Sequence, residues 1–293
     1  MPLDIDSITA ESIPHNCLVR LQSVYDSLKN AEKKAADLLL KQPDFISHAT
    51  ITEAAQRAGC SEATLVRLSK KLGYAGYPEL KAHLLQTESS DPVHLYENIE
   101  VNDDDSTIVS KVFQSSIQAL TDTLNVLDKK QYGLAVEALC NAQKIMLCGT
   151  GDAAAVAQSG YQKFYRAGLN VHVSADPDVQ LIAASQLARG DVFIAISHSG
   201  RTKTVVDAAK YAKISQATII CITNYPISPL AKNADIVLQT AAFAEYVKGE
   251  VMSKRLAELC VLESLYVNIL LRQSDKLGYN LDKANLAVEI NKL

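Results

Sequence analysis

Two short segments hold the hydroxyls, glycines and backbone N–H groups that an anion requires. Ser197-His198-Ser199-Gly200-Arg201-Thr202 follows the apolar run Asp191 to Ile196 and precedes a helical stretch. The hydroxyls of Ser197, Ser199 and Thr202 can each bond a phosphate oxygen while staying neutral, so no buried cation has to be desolvated. Gly149-Thr150-Gly151-Asp152 follows the strand-like run Lys144 to Cys148 and precedes the Ala-rich stretch Ala153 to Arg166. A glycine-rich turn from strand to helix exposes N–H groups at the positive end of a helix, which makes a second phosphate cradle. The competing use of these hydroxyls is to cap their own helices.

Two other chemistries fit parts of the same residues. Gly149 to Ala154 matches the G-x-G-x-x-A turn of nucleotide-binding proteins, and Asp176 follows the run Asn170 to Ser174 near the spacing for a ribose contact. That template leaves the Ser197–Thr202 loop unexplained. Aldose-ketose isomerisation would need a base beside the C1 and C2 protons and an acid for ring opening. His198, Glu245 and Glu250 have suitable side chains. His198, however, sits where an imidazole orients the turn, and neither glutamate has a recognisable partner. No catalytic residue is assigned, and the chain is expected to bind its ligand without converting it.

A third chemistry lies nearer the N-terminus. Thr52 to Ala58 reads as a short helix, Gly59 ends it in a left-handed turn, and Ser61 opens the next helix as its N-cap. In that second helix Leu65, Leu68 and Leu72 fall within a narrow arc at about 100° per residue and face the core. Arg67 and Lys70 then point outward, with Thr64 and Lys71 on one flank. Ala63 and Val66 are small enough to let the helix enter a major groove about 12 Å wide. Arg67 can pair bidentately with guanine, Lys70 and Lys71 can bond guanine or phosphate, and Thr64 or Ala63 can touch a thymine methyl. Ser61 would meet a phosphate at the helix N-terminus. From Ser61 to His83 there are four basic residues (Arg67, Lys70, Lys71, Lys81) and two acidic ones (Glu62, Glu79), in a chain whose net charge is −4.

These segments need two kinds of scaffold. From Asn16 to about Leu85 the apolar periodicity is helical, whereas from about Lys144 β-branched runs alternate with Ala-rich helices, the pattern of a mostly parallel sheet. Thr107 to Leu127 and Gln131 to Ala142 read as amphipathic helices leading into the second region. Thr87 to Ser106, with Pro92, three consecutive Asp and several Ser, has the composition of an exposed linker. The expected division is 1–86 for an all-α domain, 87–106 for the linker and 107–293 for a three-layer α/β domain. Leu256 to Leu271 carries more apolar surface than one face needs, which suggests subunit packing as well as core.

Bulk properties agree with an ordinary globular protein. At 293 residues the chain has room for two domains, and 48% apolar with 21% charged residues supports buried cores. The six cysteines are scattered without metal-ligand spacing or a redox pair, so no metal and no cofactor are expected. The start is acidic rather than signal-like, and no apolar run reaches the roughly 20 residues that span a bilayer. A cytoplasmic protein without a membrane partner is the expectation.

The segment ITEAAQRAGCSEATLVRLSKKLGYAGYPELK resembles, with its register intact, the helix-turn-helix of RpiR-type bacterial regulators. SHSGRT after a strand resembles the phosphate loop of sugar isomerase (SIS) domains, a likeness running from about Thr107 to the end. RpiR-type regulators combine the two in this order. The resemblance implies that Ser61, Thr64, Arg67, Lys70 and Lys71 contact a double-stranded DNA operator. It also implies that a phosphorylated sugar is bound through Gly149, Thr150, Gly151, Ser197, His198, Ser199, Gly200 and Thr202, with Glu250 in a late ligand-facing segment, Glu250 to Arg255. A homodimer or homotetramer follows from the paired half-sites such proteins read. One departure matters: relatives carry Gly-x-Gly-x-Ser in the first loop, and here the serine position is Ala153. Asp152 beside it would repel a phosphate dianion unless Lys203, Arg201 or another cation offsets its charge.

Overall fold

The computed structural model describes residues 15–25, 27–85, 99–100, 102–242 and 253–291. The chain divides into two compact units between Ser115 and Ser116. The first is helical, with α1 (His15–Tyr25), α2 (Asn30–Lys41), α3 (Pro43–His48), α4 (Ile51–Ala58), α5 (Glu62–Lys71), α6 (Tyr77–Leu85) and the start of α7 (Asp105–Val126). Its core is built on Leu21, Leu39, Ile46, Leu65, Leu68, Leu72 and Leu80, all buried.

Local chemistry sets the α4–turn–α5 geometry. Thr50 and Glu53 form a reciprocal capping box, so α4 starts one residue before the expected Thr52. Gly59 closes it at φ 62°, ψ 42°, a region open to glycine at little cost. Ser61 is the N-cap of α5, accepting from the Thr64 N–H at 3.3 Å. The linker expected over 87–106 lies largely outside the described residues, and α7 begins at Asp105.

The second unit holds the rest of α7, then α8 (Lys129–Cys140), β1 (Ile145–Cys148), α9 (Asp152–Arg166), β2 (Val171–Val173), α10 (Pro177–Ser185), β3 (Val192–Ile196), α11 (Lys203–Ile214), β4 (Thr218–Thr223), β5 (Ile236–Gln239), α12 (Lys254–Arg272) and α13 (Ser274–Glu289). Helix α8 starts two residues earlier than periodicity suggests, because Asp128 caps it through the Lys130 and Gln131 N–H groups at 2.7 and 2.9 Å. All strand pairs are parallel, in the order β2-β1-β3-β4-β5.

Alternate strand residues serve opposite faces. Ile145 and Leu147 with Ile194, Ile220 and Leu238 pack beneath α8, α9, α12 and α13. Met146, Cys148, Phe193 and Cys221 pack against α10 and α11. A sheet covered on both faces explains why its strands read as unbroken apolar runs. The expected three-layer architecture is therefore present. The order reverses between β1 and β3, so the turns after these two strands flank the switch point at the carboxyl edge, where open α/β sheets bind ligands.

Candidate functional site

On α5, Ser61, Ala63, Arg67 and Lys70 are exposed and Val66 is half-buried, so this face is open as expected. Thr64 differs from the expectation of an outward flank: it is buried, 2% exposed. It lies only about 40° from Leu68 around the helix, and its Oγ1 bonds Ser61 Oγ at 2.8 Å and accepts from Arg67 Nη2 at 3.1 Å. Lys71 turns inward to the buried carboxylate of Glu32, 2.8 Å away. Thr64 and Lys71 thus brace the helix, while Arg67 and Lys70 present charge.

The loop after β3 is held from below by the end of β4. His198 O accepts from the Asn224 N–H at 3.1 Å and from Thr223 Oγ1 at 3.0 Å. Asn224 is itself fixed, donating to Ala242 O at 2.8 Å and accepting from Thr240 Oγ1 at 2.6 Å. Gly200 has φ +61°, and a Cβ there would meet Ser228 Oγ at 2.1 Å. Ser197 and Thr202 face each other with hydroxyls 3.2 Å apart, and Ser199 Oγ accepts from the Arg201 N–H at 3.2 Å. Neither Thr202 nor Gly151 supplies a side-chain cap to its helix, leaving the first N–H groups of α11 and α9 for another acceptor.

The loop after β1 is equally constrained. A Cβ on Gly149 would sit 2.5 Å from Ala153 O, and Gly149 O accepts from the buried Gln180 amide at 2.9 Å. Thr150 is half-buried and Gly151 exposed at the opening of α9. The ribose-binding role considered for Asp176 meets a competing use, since its Oδ1 caps α10 through the Asp178 and Val179 N–H groups at 2.9 and 3.0 Å.

Helix α12 adjoins this edge through Lys254 and Arg255, which belong to the Glu250–Arg255 segment that the resemblance implies is ligand-facing. Asp152 is paired with Lys254 Nζ at 3.0 Å and lies 3.8 Å from Arg255 Nη1. These are the cations that offset it; Lys203 is instead taken up by Asp207 at 2.6 Å. The Lys254 hydrogen bond holds Asp152 below the usual carboxylate range. Farther along, Gly160 packs on Leu262, Lys163 pairs with Glu263 and Phe164 stacks on Tyr266. Both helices advance together through these pairs, so α9 and α12 run parallel with their positive N-terminal ends side by side. Glu250 and Glu245 lie outside the described residues. Among the described residues no group of three or more His, Cys, Asp or Glu is placed to hold a metal ion.

Burial shifts two groups here. It pushes His198 down to about 4, with the Lys254 charge adding to the effect, so the imidazole is neutral. It pushes Glu258, 1% exposed, up to about 8, with Asp152 adding and Lys254 opposing. In the unfolded chain Glu258 ionises near 4.5, so between 4.5 and 8 the folded state keeps a proton that the unfolded state releases. Its contribution to stability is present below 4.5 and is lost as pH rises toward 8. His198 has the opposite sign, losing stability as pH falls from 6.5 toward 4. Glu258→Gln is expected to flatten the alkaline side and to stabilise the protein by about 1–2 kcal/mol at pH 8, measured by urea unfolding at pH 5 and 8. An unchanged pH slope would show that Glu258 is already ionised.

The helix-turn-helix domain of the rpiR family matches residues 15–91, and the SIS domain matches residues 138–268. An uncharacterized HTH-type transcriptional regulator of Thermotoga maritima is 35% identical, over 92% of this chain and 96% of that protein. The HTH-type transcriptional regulator HexR of Escherichia coli is 31% identical, over 94% of each chain. The Vibrio vulnificus NanR protein complexed with ManNAc-6P superposes with a TM-score of 0.61 at 25% identity, covering 94% of this chain and 99% of that one. Among the described residues no helix is long and apolar enough to cross a membrane.

Proposed function

Because this chain belongs to the RpiR-type family of helix-turn-helix transcriptional regulators with a C-terminal SIS domain, we propose that it senses a phosphorylated sugar and adjusts its own hold on DNA accordingly, as a regulator of carbohydrate metabolism. The observation that carries this reading is the pairing of the β1 and β3 loops at the switch point. Two helix N-termini without a side-chain cap and three hydroxyls lie on these loops, and glycines at 149 and 200 let the loops pack closely on Ala153 and Ser228. The NanR relative supports the ligand class, since that protein was captured with ManNAc-6P.

Sensing without turnover suits the side chains. A neutral imidazole pushed to about 4 is a weak base, and a buried carboxyl that keeps its proton to about 8 is no base at neutral pH. Effector binding then shifts the balance between DNA-competent and incompetent arrangements by its difference in affinity for them, and by no more. The protein acts in the cytoplasm as a homodimer or homotetramer. Exposed Leu256, Val267 and Leu271 on α12 support subunit packing on that helix.

The test is fluorescence anisotropy on DNA from the gene's own upstream region, with sugar phosphates titrated in at fixed salt. One phosphate should change affinity by about tenfold or more while its free sugar does nothing, and Ser199→Ala should remove the response without changing effector-free binding. No response to any phosphate, or steady isomerisation of one, would refute the sensor reading.

A further inference from the structure

Helix α5 carries three cations in its second half, Arg67, Lys70 and Lys71. One of them is already paired. Lys71 Nζ lies 2.8 Å from Glu32 Oε2, and the two side chains are 28% and 4% exposed. Glu32 stands in the first turn of α2, where the same Oε2 also accepts from the Lys29 N–H at 2.9 Å. Burial opposes its charge, yet the bonds from Lys71 and Lys29 hold it below the usual carboxylate range, so it is an anion at neutral pH. A buried ion pair is a poor device for stability, because apolar residues of similar volume often do as well or better. Nor does α5 depend on this pair for its place. Leu65, Leu68 and Leu72 are buried, and Arg20 Nη1 from α1 bonds Leu72 O at 3.1 Å, at the same end of the helix. What the carboxylate changes is charge. Lys71 follows Arg67 by one turn and lies about 40° from it around the helix, so its flexible stem, once released, brings the ammonium to the surface beside Arg67.

We infer that Glu32 withholds Lys71 from the DNA phosphates and so lowers the sequence-independent part of DNA binding, leaving a larger share of the hold to the base-reading contacts of α5. This rests on the reading of α5 as the DNA-contacting helix, and it departs from what the resemblance implies at one residue, since Lys71 becomes a cation kept off the operator. The physical reason is that each cation on a phosphate releases counterions and adds affinity for every sequence alike. Non-specific sites outnumber the operator, so such affinity mostly feeds the competition. A weaker common hold also suits a protein whose effector shifts DNA binding only by its own difference in affinity between two arrangements.

Anisotropy titrations of the full chain on upstream and scrambled duplexes, between about 50 and 200 mM salt, test this. Glu32→Gln keeps an acceptor for the Lys29 N–H and removes the charge. It should steepen the salt slope by about 1 and tighten both duplexes about 3- to 10-fold at the low end of the salt range. Adding Lys71→Met to Glu32→Gln should return slope and affinity to wild type, and Glu32→Asp, which keeps the charge, should stay closer to wild type than Glu32→Gln. Lys71→Met alone should leave the slope unchanged, whereas a cation seated on phosphate loses about 1 when removed. That single variant keeps the test available should Glu32→Gln fail to fold. If the wild type binds neither duplex, the DNA reading falls and this inference with it. If the wild type binds and Glu32→Gln fails to steepen the slope, or Lys71→Met lowers it by about 1, the inference about Glu32 alone is overturned.

Discussion

Arg67→Ala is expected to lower affinity for the operator by about 10- to 100-fold for each half-site engaged and to bring specific DNA close to non-specific DNA. Arg67 is exposed on α5, and its Nη2 bond to Thr64 Oγ1 at 3.1 Å aims the guanidinium rather than neutralising it. A guanidinium so aimed can pair with one guanine, and a lost bidentate pair costs about 1–3 kcal/mol of discrimination. Lys70→Ala serves as the contrast. It is exposed on the same helix, and as a point charge on phosphate it should weaken binding to all sequences alike and lower the salt slope by about 1. Anisotropy titrations of both variants at two salt concentrations, on upstream and scrambled DNA, separate the two roles. If Arg67→Ala keeps its preference for upstream DNA, α5 is not the reading helix.

That contrast also shows where local patterning stops. The α4–turn–α5 unit was legible because its signals lie within a dozen residues: Gly59 in the left-handed turn, Ser61 at the cap, and leucines on one arc. Thr64 was misplaced although the same periodicity sets it about 40° from Leu68, on the buried side, where it joins Ser61 and Arg67 in hydrogen bonds. Lys71 read as a free cation because Glu32, its partner, is 39 residues away. The sheet and the loops after β1 and β3 were legible for the same local reason, since a buried parallel strand followed by glycine and hydroxyls is a contiguous pattern. The ion pair between Asp152 and Lys254 was not, for the two meet only after the intervening strands are laid down. One signal was present even so: Glu258 is an acid one turn into α12, on the same buried arc as Val261, Leu262 and Leu265.

Gly200→Ala is expected to abolish binding of the proposed effector and to lower the melting point of the C-terminal unit by roughly 5–15 °C. Two costs combine there. At φ +61° an alanine adopts a left-handed conformation that costs about 1–2 kcal/mol. Its Cβ would also lie 2.1 Å from Ser228 Oγ and 2.4 Å from Ser228 Cβ, a collision with a fully buried residue that makes room only by shifting backbone, at about 1–3 kcal/mol. Ser228 cannot swing away freely, because its hydroxyl accepts from the Ala231 N–H at 3.2 Å and its neighbours carry the Leu230 N–H bond to Gly200 O. The displacement therefore falls on the loop itself, moving Ser199 and the first N–H groups of α11 off the anion. A second substitution separates the two costs. Ser228→Gly removes the collision and keeps the strained φ, so Gly200→Ala with Ser228→Gly should regain about half the lost stability and part of the binding. Calorimetric melting and effector titration of the single and double variants give the answer. Wild-type melting and affinity in Gly200→Ala would mean that the β3 loop closes some other way and that its hydroxyls do not form the cradle.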